Sequence, residues 1–202
     1  MNSKELSIQA KEASFHLLNH KVIAFPTETV MGLAVTYNDF EAYNLLNKVK
    51  RRPEDKPYTL MCGELSDIYK YGVIDEKADK VVKAFMPGSI TIIVKAQQGL
   101  PNWVTHGLPN VGLRIPTNEE ALAVLREVKI PLLVPSANRS GEKPCLDSAE
   151  TKATFNDEIA YVVEGKAKLD KPSTIVDLTG SEPVILREGP ISKEDILKVW
   201  NA

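Results

Sequence analysis

Apolar and polar positions along the chain follow two periods, one helical and one of short buried runs. Leu6, Ala10, Ala13 and Leu17 recur at helical spacing behind Asn2-x-x-Glu5, a capping-box pattern that predicts an N-terminal helix. Residues 22–25 then read as a short buried strand stopped by Pro26. Asn38-x-x-Glu41 predicts a second helix, carrying Leu45, Leu46 and Val49 and ending at Pro53. A strand is expected at 58–62. Asp75 caps a helix with Ala78, Val81, Val82 and Phe85, closed by Pro87-Gly88. Further strands are expected at 90–94, 111–115 and 132–134, with an amphipathic helix opened by Thr117-x-x-Glu120 between the last two. Residues 136–147, rich in Ser, Gly, Asn and Pro, read as a loop. A helix near 148–155, strands near 160–164, 173–178 and 183–187, and a last helix from Ser192 to Trp200 complete the pattern.

Strands alternate with helices early, while three short strands crowd the C-terminal part. That order predicts an α/β fold with a twisted mixed parallel/antiparallel sheet flanked by helices. With 202 residues the chain fits one large domain or two small ones. No repeat, low-complexity tract or linker divides it, so residues 1–202 are read as a single domain.

Charge changes the picture locally rather than globally. The formal net charge is −2, so no overall basic field points to a long polynucleotide. Lys48, Lys50, Arg51, Arg52 and Lys56 nevertheless crowd one stretch, against only Glu54 and Asp55. Such a patch suits a phosphate group, and it equally suits a solvated helix end whose cations complement the dipole. Cys62 and Cys145 lie too far apart in sequence for a disulfide framework or a zinc site and read as free thiols in a reducing compartment. The N-terminus lacks a signal-peptide pattern and no apolar run reaches spanning length. A soluble cytoplasmic protein with no membrane partner is therefore expected.

Candidate chemistry begins with exclusions. There is no G-x-x-x-x-G-K-[ST], no G-x-G-x-x-G after a strand and no G-x-S-x-G. His16, His20 and His106 have no partners at metal-ligand spacing, so no metal-binding residues are assigned. Several polar segments instead follow strands, where α/β sheets bind ligands. Pro26-Thr27-Glu28-Thr29 offers two hydroxyls and a carboxylate, or a turn in which Thr caps the backbone. Lys50-x-Arg52-Pro53 pairs a point charge with a planar fork, which suits a polyphosphate. Pro135 to Gly141 brings hydroxyl, amide and backbone N–H groups. Arg114 ends an apolar strand and needs an anion, from the protein or from a ligand. Pro172-Ser173-Thr174 and Leu186-Arg187-Glu188-Gly189 add further polar groups. Together they outline a concave anion site without an evident nucleophile, suited to phosphate recognition and nucleotidyl transfer.

The order of Pro26-Thr27-Glu28-Thr29-Val30-x-Gly32-Leu33, Lys50-x-Arg52-Pro53, Pro87-Gly88, Val111-Gly112-Leu113-Arg114-Ile115-Pro116, Ser136-Ala137-Asn138 and Ser173-Thr174-Ile175-Val176-Asp177 resembles the YrdC-like family of threonylcarbamoyl-AMP synthases. The resemblance covers about residues 6–195. It suggests the short, single-domain form. It implies a nucleotidyltransferase that joins L-threonine, bicarbonate and ATP into threonylcarbamoyl-AMP and pyrophosphate, for threonylcarbamoyladenosine in tRNA, with Mg2+ accompanying ATP. By the same resemblance Lys50 and Arg52 are catalytic, and Arg52, Lys56, Ser136, Asn138 and Arg187 bind the nucleotide. Thr27, Thr29, Arg114 and Ser173 would bind threonine. Transient contact with tRNA-modification proteins or RNA is also implied. Two departures stand out: Met31 replaces a usual aromatic residue, altering one wall of the threonine pocket, and Met61 replaces a histidine of some members. The alternatives are a paralogue of the same fold with a changed reaction and an RNA-binding module.

Overall fold

The computed structural model describes residues 2–51 and 57–202. Its strands are β1 (Ile23–Pro26), β2 (Met31–Thr36), β3 (Leu60–Met61), β4 (Gly72–Val73), β5 (Ile90–Ala96), β6 (Asn110–Arg114), β7 (Leu132–Leu133), β8 (Tyr161–Val162), β9 (Thr174–Asp177) and β10 (Val184–Arg187). They form one sheet in the order β10-β9-β5-β6-β3-β7-β2-β1-β8, with β4 beside β5. The pairs β1/β8, β3/β6 and β5/β9 are parallel and the others antiparallel, so the expected mixed α/β sheet is present.

Helix starts follow local capping chemistry. In α1 (Ser3–Leu18) Asn2 Oδ1 accepts from Glu5 N at 2.9 Å and Glu5 Oε2 accepts from Asn2 N at 3.0 Å, the reciprocal box read from the sequence. In α2 (Phe40–Lys50) the cap is Asp39, one residue beyond the Asn38 expected, and Asp39 Oδ1 accepts from Ala42 N. Asn118 rather than Thr117 caps α6 (Glu119–Val128), and Asp75 caps α4 (Glu76–Phe85) as expected. Each such cap contributes about 1 kcal/mol. The other helices are α3 (Leu65–Tyr71), α5 (Asn102–Thr105), α7 (Ser148–Phe155) and α8 (Lys193–Trp200).

Alternation along the strands sends side chains into two cores. On one face Ala24, Leu33, Val35, Leu60, Ile90, Ile92, Val111, Leu113 and Val176 pack under α2, α3, α4 and α8, with Leu46, Val81 and Trp200 among the buried contacts. This layer runs across the sheet. On the other face Ile23, Phe25, Ala34, Met61, Leu132 and Val134 pack under α1 and α6. That second layer covers only the β1-β2-β7-β3 half. Over β6, β5 and β9 the alternate positions Ile93, Gly112, Ile175 and Asp177 are only half-buried and belong to neither core. Half of one sheet face is thus left for something other than a helix. Among the described residues no helix is long and apolar enough to cross a membrane.

Candidate active site

The uncovered half-face meets an open cleft of about 160 Å³ at Ile175, smaller than the roughly 300–1,000 Å³ usual for whole small-molecule sites. Thr59 and Met61 of the β3 segment, Arg114 at the end of β6, and Ser173 and Ile175 at the start of β9 rise from it. Thr29, Val30, Pro135, Ser136 and Arg187 close the sides. The topology explains the convergence. Strands β3 and β6 run parallel, and β5 returns antiparallel to β6, so Gly88 N donates to Ile115 O beside the start of β5. Strand β9 runs parallel to β5, and Thr174 N donates to Ser89 O, which delivers Ser173 next to Arg114's end of β6.

Arg114 and Glu28 form the buried electrostatic centre, each side chain 7% exposed. Arg114 Nη2 donates to Glu28 Oε1 at 2.6 Å and to Thr29 Oγ1 at 3.0 Å, while Glu28 Oε2 accepts from Thr117 N at 3.0 Å. The anion that Arg114 requires is therefore supplied by the protein in this structure. Arg114 Nε, also buried, has no partner among the described residues. On the facing wall Arg187 Nε donates to Ser173 O at 2.9 Å and Nη2 to Ser173 Oγ at 3.0 Å, and Ser173 Oγ also lies 3.1 Å from Thr91 Oγ1. Burial of its head group, then the like charge of Arg114, holds Arg187 below the ordinary guanidinium value. Two guanidiniums therefore share the cleft with one carboxylate, which makes the site electropositive. Arg187, expected with the nucleotide residues, lines the same cleft as Ser136 and bonds to Ser173.

Thr27 is 2% exposed and acts within its turn. Its Oγ1 donates to Val30 O at 2.7 Å, accepts from Thr29 N and Val30 N, and lies 2.8 Å from Thr29 Oγ1. Its hydroxyl presents Thr29 to the cleft rather than lining the cleft itself. At the other end Lys50, 2% exposed, donates from Nζ to Ser136 O at 2.6 Å, Asn138 O at 3.0 Å and Asn138 Oδ1 at 3.0 Å. This ammonium, which the resemblance sets facing a triphosphate, is bonded to the loop that carries Ser136 and Asn138. Ser136 Oγ donates to Asn138 Oδ1 at 2.6 Å, and Asn138 Nδ2 donates to the carbonyls of Arg139 and Glu142. Arg52 and Lys56 lie outside the described residues.

One reading of the pocket wall changes. Met31 is fully buried among Leu33 and Val35 in the core on the opposite face, so it builds no wall of the cleft. The reason is strand alternation: Gly32, not Met31, turns toward the second face, where an added Cβ would sit 2.7 Å from Val134 Cγ1. Met61 does line the cleft. Burial pushes the Cys62 thiol far up, with Asp67 adding to it, so Cys62 is a core residue and not a nucleophile. Among the described residues no group of three or more His, Cys, Asp or Glu is placed to hold a metal.

Gly189 fixes the Ser173 wall. A Cβ there would lie 2.1 Å from Thr174 N, 2.5 Å from Ser173 C and 2.7 Å from Pro172 O, all backbone. Gly189→Ala is expected to destabilise the fold by about 3 kcal/mol, at the upper end of overpacking costs, measurable by urea unfolding. A variant as stable as the parent would show that the 172–174 segment yields easily.

The family model Sua5_yciO_yrdC, described as Telomere recombination, matches residues 16–189. The chain belongs to the Sua5/YciO/YrdC family. Among its relatives, the Bacillus subtilis protein named threonylcarbamoyl-AMP synthase is 36% identical over 192 residues, covering 93% of this chain and 55% of that one. The crystal structure of Pyrococcus abyssi Sua5 complexed with L-threonine superposes with a TM-score of 0.91 at 31% identity, covering 96% of this chain and 57% of that one. The crystal structure of Escherichia coli YciO gives a TM-score of 0.88 at 27% identity, over 95% and 94% of the two chains. This Sua5/YciO/YrdC chain spans about half the length of the first two. Glu28 is the site residue that sequence reasoning left without a role. Its signal was present, since a carboxylate beside two threonines and an arginine in an apolar strand are a matched pair.

Proposed function

We propose that the chain is a nucleotidyltransferase that forms threonylcarbamoyl-AMP and pyrophosphate from L-threonine, bicarbonate and ATP, for tRNA modification in the cytoplasm. The observation that carries this reading is the electropositive cleft, with a carboxylate-compatible pair of guanidiniums at one end and a hydroxyl–amide loop at the other. The names of the relatives over about nine-tenths of the chain support it.

In this reading the threonine carboxylate docks at Arg114 and Ser173, with Arg187 adding charge. The amine, after losing a proton, attacks bicarbonate to give a carbamate with loss of water. A carbamate oxygen then attacks the α-phosphorus of ATP, the Pα–O bond to the β-phosphate breaks, and pyrophosphate leaves. No protein nucleophile is required, and the described cleft lining contains neither cysteine nor histidine. Positioning and charge neutralisation supply the rate. Ser136 and Asn138 serve the nucleotide, and Lys50 holds both in place, with Arg52 and Lys56 assigned to the phosphates from the motif alone. Mg2+ would accompany ATP as part of the substrate, no protein ligands being assigned to it. Its chemistry would be to screen the triphosphate charge. The test is incorporation of carbon-13 bicarbonate into an adenylate of threonylcarbamate mass, detected by mass spectrometry in quenched reactions. Labelled product is the expected result, and label-free AMP or ADP alone would favour the paralogue with a changed reaction.

A further inference from the structure

Arg139 sits beside Asn138 in the loop, yet its side chain turns away from the cleft and is 8% exposed. A loop arginine is ordinarily solvated, and burying a guanidinium is costly unless every donor is matched. Here the matching is extensive. Nη1 donates to Val49 O and, at 3.0 Å, to Glu158 Oε2. Nη2 donates to Glu158 Oε1 and, at 3.2 Å, to Thr154 O. The guanidinium carbon lies 4.8 Å from the centroid of the Phe155 ring, in cation–π range. One side chain therefore joins the last turn of α2, the end of α7 and the short 3-10 turn Asn156–Glu158 to the loop.

The neighbouring contacts run both ways. Lys50, next to Val49, sends its ammonium to the carbonyls of Ser136 and Asn138, and Ser140 N donates to Lys50 O at 2.8 Å. Residues 49–50 and 136–140 thus exchange bonds in both directions. Within that exchange Arg139 is itself fixed from behind, by Phe155 and Glu158.

We propose that Arg139 is a positioning residue that sets the loop carrying Ser136 and Asn138 by clamping it to α2 and α7. This rests on the reading of that loop as the nucleotide subsite. A displacement of about 1 Å in such a group costs up to roughly 10²-fold. Arg139→Met is therefore expected to raise the KM for ATP by roughly 10–10²-fold while the KM for threonine stays within about two-fold. Arg139→Lys, which keeps the charge but loses the planar fork, should fall between. If Arg139→Met does not fold, Glu158→Gln removes only the outer partner and should raise the ATP KM by a few-fold with faster hydrogen exchange at residues 136–141. Equal ATP affinity and unchanged exchange in folded Arg139→Lys and Glu158→Gln would overturn the proposal. So would equal rises in both KM values, which mark a general structural role. Titration of wild type with ATP alone separates the two readings. Absence of nucleotide binding would sink the proposed function, and the exchange result would then decide the clamp by itself.

Discussion

Replacing Lys50 with methionine is expected to destroy nucleotide-dependent turnover, by roughly 10²-fold or more, and to cost about 1–3 kcal/mol of stability. The side chain is nearly fully buried and its ammonium meets two backbone carbonyls and one amide oxygen. Methionine fills a similar volume but removes the donor these oxygens share: Ser136 O keeps Asn138 N and Asn138 Oδ1 keeps Ser136 Oγ, while Asn138 O loses the ammonium in a desolvated place, and an orphaned acceptor costs more than an intact bond contributes. Ser136 and Asn138 would then lose the fixed relation that their 2.6 Å hydrogen bond requires. Thermal unfolding together with ATP titration at a temperature where the variant is folded checks both parts. Full stability with an unchanged ATP requirement would remove Lys50 from the site.

Arg114→Met carries the second large effect, and its logic is a charge left behind. Glu28 would remain buried without its guanidinium, a loss of about 3–5 kcal/mol. The double variant Glu28→Gln/Arg114→Met removes both charges and should regain most of that stability, because the carboxamide oxygen introduced in place of the carboxylate can still accept from Thr117 N. It should not regain activity, since the threonine carboxylate loses its partner. Denaturant midpoints and threonine-dependent turnover of the two variants separate these effects. A double variant that recovers turnover would make Arg114 a structural partner of Glu28 and no more.

How legible the molecule was in its sequence varies with how local the governing interaction is. Capping is local, so the starts of α1, α4 and α8 were readable within a residue, and the Asn38 and Thr117 assignments missed by one because a neighbouring Asp39 or Asn118 competes for the same role. Strand β2 was not readable. Met31 to Thr36 is buried on both faces, which removes the alternation by which a strand is recognised. Helix α3 escaped notice because it is short and Glu64 makes no side-chain cap bond. Among site residues, Thr29, Arg114, Ser136, Ser173 and Arg187 do meet in one cleft. Which partner each takes was not readable, because Glu28 and Arg114 are joined only by the pairing of distant segments. The same holds for Met31, whose facing depends on the register of β2 against β1, Pro26 opposite Met31. A one-residue change of register would have turned it toward the second face.

The central claim is that this cleft joins three substrates through the α-phosphate of ATP. Pyrophosphate release by the purified protein, with each substrate omitted in turn, tests it most directly. The account predicts release that requires L-threonine, bicarbonate and ATP together and that stops when any one is withheld. Release that continues at full rate without threonine or without bicarbonate, or the appearance of orthophosphate and ADP in place of pyrophosphate, would contradict it.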